Sequence, residues 1–320
     1  MSHSVLLTSC LFQSTPGAHR ALLGRSGLEV THLRGPLPAS ELGGALRGHE
    51  ALVCDNDDVT AEVLSGAVPD LRVISKVGSS TSSIDLEACR RHNVQVLTTS
   101  SINHHAVAEQ TFALILSLSR RVVPLANAIR EGKWRREPGN ELRGRRLGIL
   151  GLGRIGLEVA GLGRAFGMQV LGYGKFWPDE EAARLGIERM PDPAALASEC
   201  DILSLHTSYR AETHYIANDD LISALPPGAL LINTSRAALV DPGAVLAALQ
   251  SGHLGGFASD VPEPEPPDPD DPLILHPNAL FTPHVGSFTF QSVPRILVRA
   301  VENLLGFLKG ENMRSGNGHP

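Results

Sequence analysis

The sequence predicts an α/β protein built from two successive sets of βαβ units. Three features carry this reading. Short apolar runs alternate with helix-compatible segments through the first part of the chain. A long helical pattern then interrupts the alternation, and a second alternating set opens on the stretch RRLGILGLGRIG, Arg145 to Gly156. Such alternation signals parallel strands joined by crossover helices, which cover both faces of the sheet and make its strands apolar throughout.

In the first set the strands are VLLTS, ALVCD, LRVISKV and VQVLTT, with GAHRALLGRSG and TAEVLSGAV as helices between them. SINHHAVAEQTFALILSLSRRVVPLANAIREG reads as a long helix broken at Pro124, whose ring removes a backbone donor. The second set supplies RLGILG, MQVLGY, DILSLH, GALLINT, GGFASDV and ALFTPH as strands. RIGLEVAGLGRAFG follows the glycines as a helix with Ile155, Val159, Leu162 and Phe166 on its apolar face. DVPEPEPPDPDDP is too rich in proline to be a helix or a strand interior, so it is a surface loop. SFTFQSVPRILVRAVENLLGFLKG reads as a closing helix, and ENMRSGNGHP as a frayed tail. Nothing repeats at a solenoid period.

A chain of 320 residues accommodates two domains. With 42% hydrophobic and 19% charged residues it has the make-up of a soluble globular protein. A net charge of −6 without a basic block argues against nucleic acid or an anionic membrane as the main partner. The N-terminus lacks the pattern of a signal peptide, and FALILSLS is too short to span a bilayer. Cys10, Cys54, Cys89 and Cys200 form no C-x-x-C pair, so reduced structural thiols and a cytoplasmic location are expected.

The spacing G-x-G-x-x-G between a strand and a helix gives each glycine a physical task. Gly151 allows a tight turn, Gly153 lets backbone approach a pyrophosphate, and Gly156 lets helix and strand pack closely. The helix N-terminus offers unpaired N–H groups and partial positive charge to phosphates. An NAD site places a carboxylate after the second strand to accept from the ribose. Here that strand ends at Tyr173 and is followed by Gly174 and Lys175, which tilts the expected cofactor toward NADP over NAD.

Arg236, Asp260, Glu265 and His284 each follow an apolar run, and ligands of open α/β sheets bind beyond the carboxyl ends of the strands. Three of them suit reduction of a 2-oxo acid. Arg236 can hold a carboxylate through paired N–H bonds, His284 can deliver a proton, and Glu265 can orient the imidazole. From these residues alone, Arg236 reads equally as a surface arginine and Glu265 as part of a solvated loop.

The chain resembles the D-isomer-specific 2-hydroxyacid dehydrogenases along nearly its whole length. The likeness runs through GKW, ELRGRRLGILGLGRIG, LINTSRAALVD, GGFASDVPEPEP and LFTPHVGS, in order. The resemblance implies a catalytic set of Arg236, Glu265 and His284. It implies that Asp260 bonds the nicotinamide amide, that Arg154 and Ile155 present backbone at the pyrophosphate, and that Thr207 and Thr234 line the cofactor. It also implies two doubly wound parallel-sheet domains. A Rossmann dinucleotide domain, residues 102–287, is inserted into a flavodoxin-like substrate domain, residues 1–101 and 288–320, with the active site in a cleft that closes during turnover. A homodimer is expected on the same ground. The implied activity is hydride transfer between NAD(P)H and a small 2-oxo acid, with glyoxylate or hydroxypyruvate preferred. A phosphoglycerate dehydrogenase-like enzyme and a nucleotide-sensing, corepressor-like binding protein are the alternatives.

The chain departs from the family pattern at Gly78 to Asp85. GSSTSSID stands where G-V-G-x-D-N-x-D is usual. The amides of Ser79 and Ser80 still suit a substrate carboxylate, but a serine at position 80 is in conflict with a positive φ, if one is needed. Lys76 precedes the loop and is placed to meet a phosphate or to avoid ligand altogether. Ala237 and Ser208 replace the usual glycine and proline. His104, His105 and His253 read as non-catalytic, and no His/Cys cluster shows metal-ligand spacing, so no metal is expected.

Overall fold

The structure is a computed structural model that describes residues 3–99 and 102–311. The end of the expected tail, residues 312–320, lies outside the described residues. The chain divides into two compact units, Met1–Asn103 with Phe290–Pro320, and His104–Thr289.

The first unit contains β1 (Ser4–Leu7), α1 (Cys10–Ser14), α2 (Ala18–Gly24), β2 (Glu29–His32), α3 (Ala39–Ala45), β3 (Ala51–Cys54), α4 (Ala61–Ala67), β4 (Val73–Lys76), α5 (Leu86–Arg91) and β5 (Gln95–Thr98). The strands pair in parallel in the order β2-β1-β3-β4-β5, the flavodoxin-like winding. Side chains alternate between two cores. Val5, Leu7, Val53, Val73 and Leu97 face one, and Leu6, Leu52, Cys54 and Ile74 face the other. Strand β2 is largely exposed and lies at the sheet edge, so it carries no apolar run to betray it in the sequence.

The second unit contains α6 (His104–Ser119), α7 (Val122–Arg130), β6 (Arg146–Leu150), α8 (Arg154–Ala165), β7 (Gln169–Tyr173), α9 (Asp179–Leu185), β8 (Glu188–Arg189), α10 (Pro193–Glu199), β9 (Ile202–Leu205), α11 (Asp219–Ala224), β10 (Ala229–Asn233), α12 (Pro242–Ser251), β11 (Leu254–Ser259) and β12 (Ala279–Phe281). All its strands are parallel, in the order β12-β11-β10-β9-β6-β7-β8. The winding reverses between β6 and β9, which is the switch point where ligands bind in such sheets. Leu147, Ile149, Ile202 and Ile232 face one core, while Leu150, Leu203, Leu205 and Leu231 face the other.

Two helix expectations need correction. The break between α6 and α7 falls at Arg121, whose φ is +53°, and the two helices meet at 65°. Pro124 sits in the first turn of α7, where a missing N–H removes no helical bond, so it begins the second helix and does not cut the first. On α8 Val159 is buried and Ile155 and Leu162 pack partly buried on the same core, as expected, but Phe166 is 41% exposed and the remaining buried positions are Gly156, Ala160 and Gly163. Small residues form the contact because backbone lies against the sheet there. A Cβ on Gly163 would stand 2.8 Å from Leu147 Cδ2, while Phe166 stacks on Phe112 at 5.2 Å. Among the described residues no single helix is long and apolar enough to cross a membrane.

The chain then returns to the first unit through α13 (Ser292–Leu308). Its buried stripe, Val293, Ile296, Leu297, Ala300, Val301 and Leu304, follows the helical period and packs on the Val5–Leu97 core. Ser75 Oγ donates to the Ala300 carbonyl at 2.7 Å, and Asn303 Nδ2 donates to the Thr98 carbonyl at 3.0 Å, which fixes the helix on the sheet.

Candidate active site

The carboxyl ends of the second unit's strands carry the site. The turn after β6 is shaped by its glycines. Gly151 has φ +106°, and a Cβ there would lie 2.5 Å from the Thr207 amide nitrogen and 2.6 Å from the His206 carbonyl carbon. A Cβ on Gly156 would lie 2.1 Å from the Gly151 carbonyl oxygen, so α8 begins with its backbone against the turn. Gly153 differs from both. It has extended backbone at the N-cap of α8, and an added Cβ there meets no other described residue within 4 Å. The first two glycines are demanded by the fold, and the third faces open space before a helix N-terminus. That pattern fits a dinucleotide pyrophosphate, with Arg154 and Ile155 supplying the first helical amides.

The neighbouring strand ends complete this edge. After β7, Gly174 lets the Phe176 carbonyl fold back, since a Cβ would stand 2.9 Å from that oxygen, and Lys175 is exposed. After β9 come His206 and Thr207. The His206 ring bonds Ser204 Oγ at 2.8 Å through Nε2, while Nδ1 is buried without a hydrogen-bond partner among the described residues. Burial pushes this imidazole down to about 3, so it is neutral at working pH. Thr234 follows β10, but its hydroxyl lies 2.9 Å from that of Thr111 on α6, so its side chain is directed into the core.

Arg236 follows Thr234. Asn233 braces this segment by accepting from the Ser235 amide at 3.0 Å and donating to the Arg236 carbonyl at 2.8 Å. The Arg236 side chain is partly buried and donates to the Ser235 carbonyl at 2.6 Å. Burial lowers the guanidinium from its usual range, and the Glu265 carboxylate opposes that shift, which places the two charges in mutual influence. Glu265 in turn accepts from His284 Nδ1 at 2.8 Å. Glu265 and His284 are thus hydrogen-bonded to each other, and Arg236 lies within the electrostatic reach of Glu265, all in one unit. His284 itself has φ +53°, a left-handed conformation that costs a non-glycine residue free energy and persists where surroundings enforce it.

The enforcing group is Asp260, 2% exposed at the end of β11. Its Oδ1 accepts from Thr282 Oγ1 at 2.5 Å and from the Val285 amide at 3.0 Å, and its Oδ2 accepts from the Gly286 amide at 2.7 Å. The carboxylate therefore clasps the segment on both sides of His284. The role implied by resemblance, a bond to a nicotinamide amide, accounts for none of these three contacts. Gln110 on α6 extends the clasp by donating to Thr282 Oγ1 at 3.1 Å. Gln110, Thr111 and Thr282 were not legible as site residues. Their one signal was polarity inside an otherwise apolar helical or strand pattern.

The serine loop belongs to the first unit. Gly78 holds φ +107°, and its amide donates to Thr99 Oγ1 at 2.8 Å. Ser80 has no positive φ, so the loop takes serine there without strain, and its hydroxyl lies 3.0 Å from that of Ser82. The Ser79 and Ser80 amides have no hydrogen-bond partner among the described residues. Lys76 is buried, and its ammonium donates to Asn56 Oδ1 at 3.1 Å and to the Val77 carbonyl at 3.2 Å.

Comparison with known proteins gives a consistent result. Residues 112–286 match the family model described as D-isomer specific 2-hydroxyacid dehydrogenase, NAD binding domain. The chain is 36% identical to a glyoxylate reductase of Aeropyrum pernix, over 89% of this chain and 87% of that protein. It is 35% identical to D-3-phosphoglycerate dehydrogenase of Rattus norvegicus, over 92% of this chain and 55% of that protein, so it spans about half the length of that relative. Among solved structures, D-lactate dehydrogenase from Aquifex aeolicus, complexed with NAD and lactic acid, superposes with a TM-score of 0.84 at 30% identity, covering 96% of each chain.

Proposed function

The chain belongs to the D-isomer-specific 2-hydroxyacid dehydrogenase family, and from that premise we propose that it is an NAD(P)H-dependent oxidoreductase. It reduces the C2 carbonyl of a small 2-oxo acid to the D-2-hydroxy acid. The observation that carries this reading is the 2.8 Å bond between Glu265 and His284, on the sheet edge that also bears the glycine turn and Arg236.

Each residue has a defined task. The Gly151–Gly156 turn, with the Arg154 and Ile155 amides, holds the dinucleotide phosphates, and Gly174 and Thr207 flank it. Arg236 binds the substrate carboxylate through parallel N–H bonds and polarises the adjacent carbonyl. His284 donates its Nε2 proton to the carbonyl oxygen as that oxygen becomes a hydroxyl. Glu265 fixes the imidazole through Nδ1, so that Nε2 is the free edge. The nicotinamide, when bound, supplies the hydride that C2 accepts. Asp260 holds the His284 segment in register.

Finer points are part of the same proposal. Exposed Lys175, with no carboxylate at the end of β7, supports a preference for NADPH over NADH. Glyoxylate or hydroxypyruvate is the favoured substrate, with a phosphoglycerate-type acid second. Ser79 and Ser80 offer their backbone amides as substrate ligands. A cytoplasmic homodimer is proposed from family resemblance and from cysteines that are all free.

The test is a steady-state assay of purified protein with NADPH or NADH and a panel of 2-oxo acids, followed at the reduced-nicotinamide absorbance. Turnover with at least one acid is expected. Arg236→Ala should raise KM and lower kcat/KM by at least a hundredfold, and Lys175→Ala should erode the NADPH preference. Cofactor binding without oxidation by any acid would instead favour a nucleotide-sensing protein.

A further inference from the structure

We propose that His104, His105 and Glu158 form a binding site for a single divalent transition-metal cation of the zinc class. This site lies outside the catalytic set. The two histidines open α6, and Glu158 stands in the second turn of α8. Glu158 faces both rings, with Oε1 3.7 Å from His104 Nε2 and Oε2 3.2 Å from His105 Nδ1. One ligand atom from each residue lies within 4.8 Å of the others. Zinc bonds to nitrogen and oxygen near 2.1 Å set tetrahedral ligand separations of about 3.4 Å, so two of the three separations, each made to a different oxygen of the Glu158 carboxylate, are near bonding dimensions. Small rotamer changes bring in the third, because the imidazole rings already lie 4.1 Å apart, tilted by 38°.

The donor set selects the cation. Two imidazoles and one carboxylate suit zinc, cobalt or nickel. Magnesium and calcium favour all-oxygen shells. Three protein ligands leave at least one position for water. The scaffold is firm, since α6 and α8 pack through Ala108, Phe112, Val159 and Ala160, all buried in one core. The ligand side chains are 24%, 57% and 37% exposed for His104, His105 and Glu158, which gives an ion a way in. Sequence inspection does not find this site, because adjacent histidines and a glutamate 53 residues further on match no ligand-spacing motif. A bound ion would tie the first turn of α6 to α8.

The experiment uses the full chain without an affinity tag, cleared of metal by chelator and dialysis, and titrated with Co²⁺ and Zn²⁺. Expected are one tightly bound equivalent, a ligand-field absorption band for cobalt that zinc displaces, and a rise of a few degrees in melting temperature at saturation. His105→Ala and Glu158→Gln should each weaken binding at least tenfold while leaving circular dichroism and dinucleotide binding unchanged. Absence of binding at micromolar metal overturns the proposal. So does unchanged affinity and stoichiometry in His104→Ala/His105→Ala, which would assign the ion to another histidine. None of these readouts depends on turnover, so the dehydrogenase reading stands or falls separately.

Discussion

Asp260 and Gly286 are locked together. The Gly286 amide donates to Asp260 Oδ2 at 2.7 Å, and a Cβ on Gly286 would stand 2.8 Å from that same oxygen. The carboxylate thus leaves no room for a side chain at the position it binds. Removing it strands the part-buried Val285 and the buried Gly286 donors, at a cost of about 1–3 kcal/mol for a buried group left unsatisfied. Asp260→Ala should lower stability by about 3 kcal/mol in denaturant unfolding. It should also lower kcat about a hundredfold, since a displacement near 1 Å of a catalytic group costs about that much. An Asp260→Ala enzyme with unchanged kcat would show that His284 is held by something else.

The two glycines of the turn should respond differently to alanine. Gly151→Ala drives a Cβ into the His206–Thr207 backbone at a positive φ, so the fold itself should suffer, by about 2 kcal/mol or more in a thermal or chemical melt. Gly153→Ala places its Cβ against no other described residue, so the melting temperature should hold while dinucleotide affinity falls at least tenfold by fluorescence titration. Equal loss of stability in both variants would contradict the assignment of Gly153 to ligand space.

His206 makes stability depend on pH. Its folded pKa of about 3 lies below the ordinary imidazole value of 6.5, so the unfolded chain binds the extra proton between those two values. The stabilisation is complete above pH 6.5 and is lost as pH falls toward 3. Between pH 7 and pH 5 the loss from this group comes to about 2 kcal/mol. His206→Asn should flatten the stability profile over that interval. A variant whose profile parallels that of the parent would assign the acid sensitivity elsewhere.

Leu297, fully buried on α13, ties the C-terminal segment to the first unit. Leu297→Ala should cost about 2–5 kcal/mol, read from the denaturation midpoint, through lost burial and the cavity left behind. A cost below about 1 kcal/mol would mean that α13 is not integral to that core.

The strands were legible wherever both faces are buried. ALVCD, LRVISKV, DILSLH and GALLINT announce β3, β4, β9 and β10 because helices cover both sides of a parallel sheet. Strands β2 and β8 were not legible, since exposed edges place no demand for apolar residues. Within the site, the glycine spacing and the downstream Arg236, Glu265 and His284 could be named from the chain. The Asp260 clasp, the Gln110 and Thr111 braces and the His104–His105–Glu158 cluster could not.

The sequence by itself determined the alternation of strand and helix, the position of the phosphate turn and the identities of the chemical groups, because periodicity and backbone freedom are local properties. Only the tertiary structure decided which of those groups meet. Parallel winding carries residues far apart in the chain to adjacent strand ends, so Glu265 reaches His284 and Asp260 reaches Gly286. Those encounters depend on strand order and helix packing, which arise from burial across the whole sheet and leave no mark on neighbouring residues.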